Sequence, residues 1–117
     1  MSLESVLQTA LDPCVSGGAH QDIAAQGAVA PYLVWTLITS NINNTLAGAS
    51  NAQNARVQID GYATTPTLRR SLGDAIEAAL AASSLSNVEL TQANHFEHET
   101  KLYRITLDFS IWTVLPI

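Results

Sequence analysis

Residues 102–112, LYRITLDFSIW, alternate with hardly a lapse. Tyr103, Ile105, Leu107, Phe109 and Ile111 fall on one side, and Arg104, Thr106, Asp108 and Ser110 on the other. A period of two is the geometry of a strand with one face buried and one face toward water or a partner. Residues 56–63, RVQIDGYA, repeat the pattern, with Val57, Ile59 and Ala63 set against Arg56, Gln58 and Asp60. Each strand carries an Arg and an Asp four residues apart on its polar face. An antiparallel pairing that sets Arg56 opposite Asp108, Gln58 opposite Thr106 and Asp60 opposite Arg104 would make two charge pairs of roughly 0.2–1 kcal/mol each. A slip by one residue would turn the apolar set outward and is strongly disfavoured. The alternative is that another strand lies between these two. Either way the pattern predicts a sheet with a charged, self-compensating outer surface, which favours a structural protein over a catalyst.

Composition narrows the class. At 117 residues the chain is expected to form one domain over 1–117, with a single modest core. Charged residues make up 13%, against about 25% in average globular chains. So low a fraction, with a mean hydropathy of +0.15, predicts that much of the surface is covered in an assembly. An alanine-rich monomer is the alternative. The net charge of −5 opposes binding to a phosphate backbone. Every Lys and Arg lies at or after Arg56, and no basic stripe with interleaved aromatics occurs, so specific nucleic-acid binding is not expected. The lone Cys14 excludes an internal disulfide and a thiolate zinc cluster. The longest apolar run, 28–38, contains Pro31 and is far shorter than the ~20 residues a bilayer span needs, so no membrane partner is expected. Without the basic start and apolar core of a signal peptide, the expected site of synthesis is the cytoplasm.

Spacing along the chain predicts a helix over residues 2–12, with Ser2 as cap, Pro13 as stop, and Leu3, Val6, Leu7, Ala10 and Leu11 on one stripe. Residues 13–30 read as irregular connection. A strand over 32–40 is apolar on both faces, with Val34 and Ile38 against Leu33, Trp35 and Leu37, and is expected to be buried on two sides. Residues 41–55 carry no charge and join two strands, far longer than the usual hairpin loop of about 2–5 residues. They form either a mobile loop or an arm ordered by another chain. A second helix is capped by Thr65, begins at Pro66, and carries Leu68, Leu72, Ala75, Ile76, Ala79 and Leu80 on one stripe. A short strand, 88–93, and a polar turn, 95–100, precede the final strand. The expected fold class is α+β: two helices on one face of a mainly antiparallel four-stranded sheet, in the order α-β-β-α-β-β.

No pattern of reactive groups rises above its bland alternative. His95 and His98 are three apart, whereas a zinc-protease helix needs two His four apart on one face. A solvated turn explains HFEHET better. No Gly-x-Ser-x-Gly elbow occurs, and Ser16-Gly17-Gly18 lacks the Lys-Ser/Thr ending of a phosphate loop. Arg70 has Asp74 four residues on as an expected partner, which leaves Arg69 as the candidate for an ion pair between subunits. Expected interface residues are therefore Asn43, Asn44 and Gln53 on the uncharged segment, with Arg69 and Trp35. Catalytic, metal-ligating and cofactor-binding residues are none.

Several segments jointly resemble the small phage tail-completion (tail terminator) proteins of phage and prophage tail modules. The matching pieces are Pro31-Tyr32-Leu33-Val34, Asn44-Thr45-Leu46-Ala47-Gly48 and Arg56-Val57-Gln58-Ile59-Asp60. Leu102-Tyr103-Arg104, leading to Leu107-Asp108-Phe109 and Trp112, completes them. The resemblance implies a homo-oligomeric ring, six-fold by analogy, that caps the finished tail tube and joins it to the head connector. It implies tail-tube and head-connector proteins as partners, no cofactor, and a place in the virion tail after synthesis in the bacterial host cytoplasm. A head-side neck protein and a small-ligand-binding α+β protein remain the alternatives.

Overall fold

The structure, a computed structural model, describes residues 2–24, 27–45, 48–83 and 85–113, and the side chains of all of these except 40–45 and 48–53. Helix α1, Leu3–Leu11, begins in a reciprocal cap: the Ser2 hydroxyl accepts from the Ser5 amide at 3.2 Å, and the Ser5 hydroxyl accepts from the Ser2 amide at 3.0 Å. That satisfies two of the amides left without partners at a helix start. Pro13 ends it in a single 3₁₀ turn, Asp12–Cys14. Helix α2, Pro66–Ala82, starts as its sequence predicts, with the Thr65 hydroxyl accepting from the Leu68 amide at 3.1 Å. Leu3, Leu7 and Leu11 of α1 and Leu72, Ile76 and Leu80 of α2 bury into one core. The apolar side of the sheet supplies the rest, chiefly Leu33, Trp35, Val57, Ile59, Ile105, Leu107, Phe109 and Ile111.

The sheet has five strands, not four. They are β1 Ala19–Gln21, β2 Tyr32–Thr45, β3 Gly48–Ala63, β4 Ser86–Glu97 and β5 Leu102–Thr113, in the spatial order β1-β2-β3-β5-β4. The additional strand, β1, lies in the segment expected to be irregular and runs parallel to β2, Ala19 to Leu33 through Gln21 to Trp35. Three residues are too few to show a period. What places them is contact: the Asp12 carboxylate accepts from the Ala19 amide at 3.0 Å, and the Gln8 side chain donates to the Ala19 carbonyl at 2.8 Å. Gly17 lets the chain pass against the Val29 and Pro31 carbonyls, where an added Cβ would lie 2.7 Å from the Val29 oxygen.

Other expectations shift as well. β4 extends to Glu97, so His95 and Phe96 are strand residues and the turn comprises only 98–101. β2 is buried on its helix-facing side only, since Val34 is half-buried and Ile38 is 45% exposed. The uncharged segment is not one long loop: β2 and β3 stay paired from Ser40↔Ala55 through Asn44↔Ala49 to Thr45↔Gly48. This ribbon helps stretch the molecule to 53 × 25 × 24 Å.

The register of β3 on β5 keeps the expected neighbours and faces but is displaced by two residues. Gln58 faces Asp108, Asp60 faces Thr106, and Tyr62 faces Arg104. Packing outweighs the proposed charge pairs. In this register Gly61 faces Ile105 and Ala55 faces Ile111. A Cβ on Gly61 would lie 3.2–3.3 Å from Ile105, Leu33 and Leu72, so the missing side chain is the space into which those three close. The expected alignment would instead set Ile105 against Ile59 and leave that space facing Tyr103.

Candidate interaction surface

Opposite the helices, the outer face of the sheet carries a row of polar and aromatic side chains. Asp60, 9% exposed, accepts from the Thr106 hydroxyl at 2.6 Å and from the Gln58 amide at 3.2 Å. Asp108 accepts from Thr91 at 2.9 Å and pairs with Arg56 at 3.4 Å. Arg104 lies 3.8 Å from Glu97. Tyr32 and Tyr62 stack at 4.9 Å, and His20 meets the edge of Tyr32. Burial works against the Arg104 charge, but its hydrogen bond with Tyr62 and the nearby Asp60 and Glu97 outweigh this and hold its pKa above the ordinary value. Burial likewise raises the Tyr62 phenol, with the Arg104 hydrogen bond opposing. The expected charged, self-compensating surface is thus present, built by diagonal and polar-neutral partners rather than by directly opposed ions.

The far edge of the sheet is open. Among the described residues β4 pairs only with β5, and nearly every residue along it is exposed. Val88 is 59% exposed, Leu90 47%, Phe96 38%, and Trp112 on β5 45%. Edge strands are commonly blunted by charge or proline, because their free amides and carbonyls template another strand. Residues 90–94, LTQAN, carry neither. Beside them a groove of about 610 Å³ runs between β4 and α2, lined by Gln92, Asn94 and Ile105 on the sheet and Arg69, Arg70, Asp74 and Glu77 on the helix. Near it, burial and a hydrogen bond with Glu77 push the Glu89 carboxyl above the usual carboxylate range.

The expected interface residues separate. Trp35 belongs to the subunit's own core: it is 1% exposed, and its indole donates to Gln8 at 2.9 Å. Arg69 is engaged within the subunit, donating to the His95 carbonyl at 3.1 Å with its guanidinium 5.3 Å from the Tyr103 ring centre. The charge pairs formed among the described residues include no Arg70–Asp74 pair. Asn43, Asn44 and Gln53 lie on the projecting ribbon by their backbone register, and their side chains fall outside the described residues. Cys14 sits under α2, its thiol directed at the Ala10 and Ala75 carbonyls and its pKa raised by burial, which suppresses thiolate chemistry. Sequence reasoning missed the open β4 edge. Its signal was the absence of a charge or proline over 90–94.

Among the described residues, no three His, Cys, Asp or Glu side chains gather closely enough to hold a metal ion, and no helix is long and apolar enough to cross a membrane. The class defined by this arrangement is a helix-backed α+β subunit with an open sheet face, an open edge and a projecting ribbon. Comparison with known proteins narrows it. The family model described as "Tail completion protein gp17" matches residues 6–114, and the chain belongs to that family. It is accordingly a phage structural protein. A solved chain from a structure titled "Virion of native gene transfer agent (GTA) particle" shares the fold, with a TM-score of 0.59 over 95% of this chain and 93% of that one at 15% identity. A sequence comparison with curated proteins finds no match.

Proposed function

We propose that the chain completes the phage tail as a closed ring of identical subunits that caps the tail tube and presents a surface to the head connector. Membership of the tail-completion family over residues 6–114 carries this reading. The low charge fraction, the open edge and the uncharged ribbon agree with a subunit whose surface is covered after assembly. The ring is six-fold by analogy, about 75 kDa for copies of 12.5 kDa each, with heterologous contacts that close. Asn43, Asn44 and Gln53 lie at subunit contacts through the ribbon, and the chain acts as a single domain in the virion tail without catalysis. Solution mass combined with negative-stain imaging, alone and with purified tail-tube protein, tests this. Rings of uniform diameter bound to tube ends are expected. A monomer that stays monomeric with tube protein present would refute ring formation, and rings that bind portal-side protein but not the tube would favour a head-side neck role.

A further inference from the structure

We propose that the ribbon of one subunit adds as a strand to the open β4 edge of the next, beside the groove under α2. The proposal rests on the ring-forming role above and names the contact that builds the ring. The first observation is the ribbon itself. Among the described residues β1 pairs with β2 only at Leu33–Trp35, so the outer edge of β2 over 40–45 has no strand beside it. β5 backs the partners of Ser40–Ile42 as far as Gln53, and beyond that point the ribbon is two-stranded, held by Asn44↔Ala49 and Thr45↔Gly48. A lone two-stranded ribbon is marginal in water at best, and a third strand is the usual remedy.

The second observation is a recipient of matching size and chemistry within the same chain. Arg69 already caps the His95 carbonyl, which leaves 90–94 as the uncharged open stretch of β4. At roughly 3.4 Å per residue the five residues span at most about 17 Å and the six ribbon residues 40–45 at most about 20 Å, each shortened by one register shift, at Leu90 and at Asn43. Neither segment carries a charge, so joining them desolvates no ion and leaves no buried ion unpaired. Backbone bonds supply affinity in such strand addition, and neighbouring side chains supply specificity. Here Gln92 and Asn94 on the groove wall offer amide donors and acceptors to a segment rich in Asn, Ser and Thr. Donor and recipient are different parts of one chain, so the contact is head-to-tail and propagates until it closes.

The test uses the full chain. Ala93→Lys puts a charge on an exposed β4 position, where it blocks strand addition but leaves the monomer fold unaltered. Ala81→Lys, on the exposed end of α2, serves as control. Ala93→Lys is expected to abolish rings with an unchanged circular dichroism spectrum, and Ala81→Lys to leave them intact. In a second arm, Asn43→Cys and Ala93→Cys chains, each also Cys14→Ser, are mixed and treated with a short bifunctional thiol cross-linker. A covalent heterodimer is expected from the mixture and not from either chain alone. Rings from Ala93→Lys equal to those of the parent, with no cross-linked heterodimer, would overturn this contact while leaving the ring role standing. Failure of the parent chain to form rings even with tube protein would overturn both.

Discussion

Replacing Gln8 by Ala should destabilise the protein far more than a half-exposed helix position ordinarily would. Gln8 joins three elements: its carbonyl oxygen accepts from the Trp35 indole at 2.9 Å, and its amide donates to the Ala19 carbonyl at 2.8 Å. Truncation removes both partners together. The indole N–H belongs to a residue only 1% exposed and costs about 1–3 kcal/mol when left unsatisfied, with the Ala19 carbonyl adding about 1 kcal/mol. The total of about 2–4 kcal/mol is a large share of the roughly 5–15 kcal/mol typical of a domain. With about 2.1 cal/mol/K of unfolding entropy per residue, each kcal/mol lowers the melting temperature by about 4 °C, so a fall of about 8–16 °C is expected. Urea unfolding followed by far-ultraviolet circular dichroism gives the free energy without depending on Trp35 fluorescence. The decisive comparison is the same change in a Trp35→Phe background. There the N–H is already gone, and Gln8→Ala should cost only about 1 kcal/mol, a coupling of about 1–3 kcal/mol. Losses that add to within about 0.5 kcal/mol would show that the side chains are neighbours without mutual dependence.

Other perturbations probe separate features. Glu89 has its carboxyl pKa raised by burial and by Glu77, so the folded chain holds that proton more tightly than the unfolded one. The penalty is absent below the ordinary carboxylate range and complete above the raised value, so this pair lowers stability as pH rises through that window. Glu89→Gln should therefore stabilise by about 0.2–0.5 kcal/mol at pH 7, a gain that vanishes near pH 3 in denaturant titrations. Gly61→Ala should cost about 1–3 kcal/mol in the same assay, because a new methyl meets three core side chains at 3.2–3.3 Å. Joining Ile42 to Gln53, which face each other, through Asn-Gly should change folding stability by less than about 1 kcal/mol while removing ring assembly, measured by solution mass.

Much of this fold is written in local signals. Ser2, Pro13, Thr65 and Pro66 mark helix ends by chemistry that acts over three or four residues, and the helix bounds follow them. The alternation in β3 and β5 is equally local and identifies the buried face correctly. Features that depend on distant partners are not legible in this way. β1 has three residues and no period, and exists because Gln8, Asp12 and Gly17 hold it against β2. The end of β4 shows no alternation because both of its faces are exposed. Opposed charges suggested one alignment of β3 and β5, while the space above Gly61 fixed another two residues away. The ribbon, rich in small and amide residues, extends as strand because the pairing begun at Tyr32↔Tyr62 propagates outward. Arg69 and Trp35 have contacts within the subunit, to His95 and to Gln8, that no local signal in the sequence announces.

The pairing of β2 with β3 shifts register twice, between Leu37 and Thr39 and again between Ile42 and Asn44. An extra residue at such a point bends and twists the strand that carries it. The two shifts lie at the base and partway along the projecting ribbon, so they act as its elevation settings. A turn of about ten degrees at the base swings a ribbon of about 20 Å through about 3.5 Å at its tip, close to the spacing of one residue along a strand. A single insertion or deletion at Ile38, just outside the core contact of Leu37, would therefore re-aim the ribbon by about a full step. Related chains could reach neighbours set at different angles by altering one short stretch of backbone while the helix-backed body stayed the same.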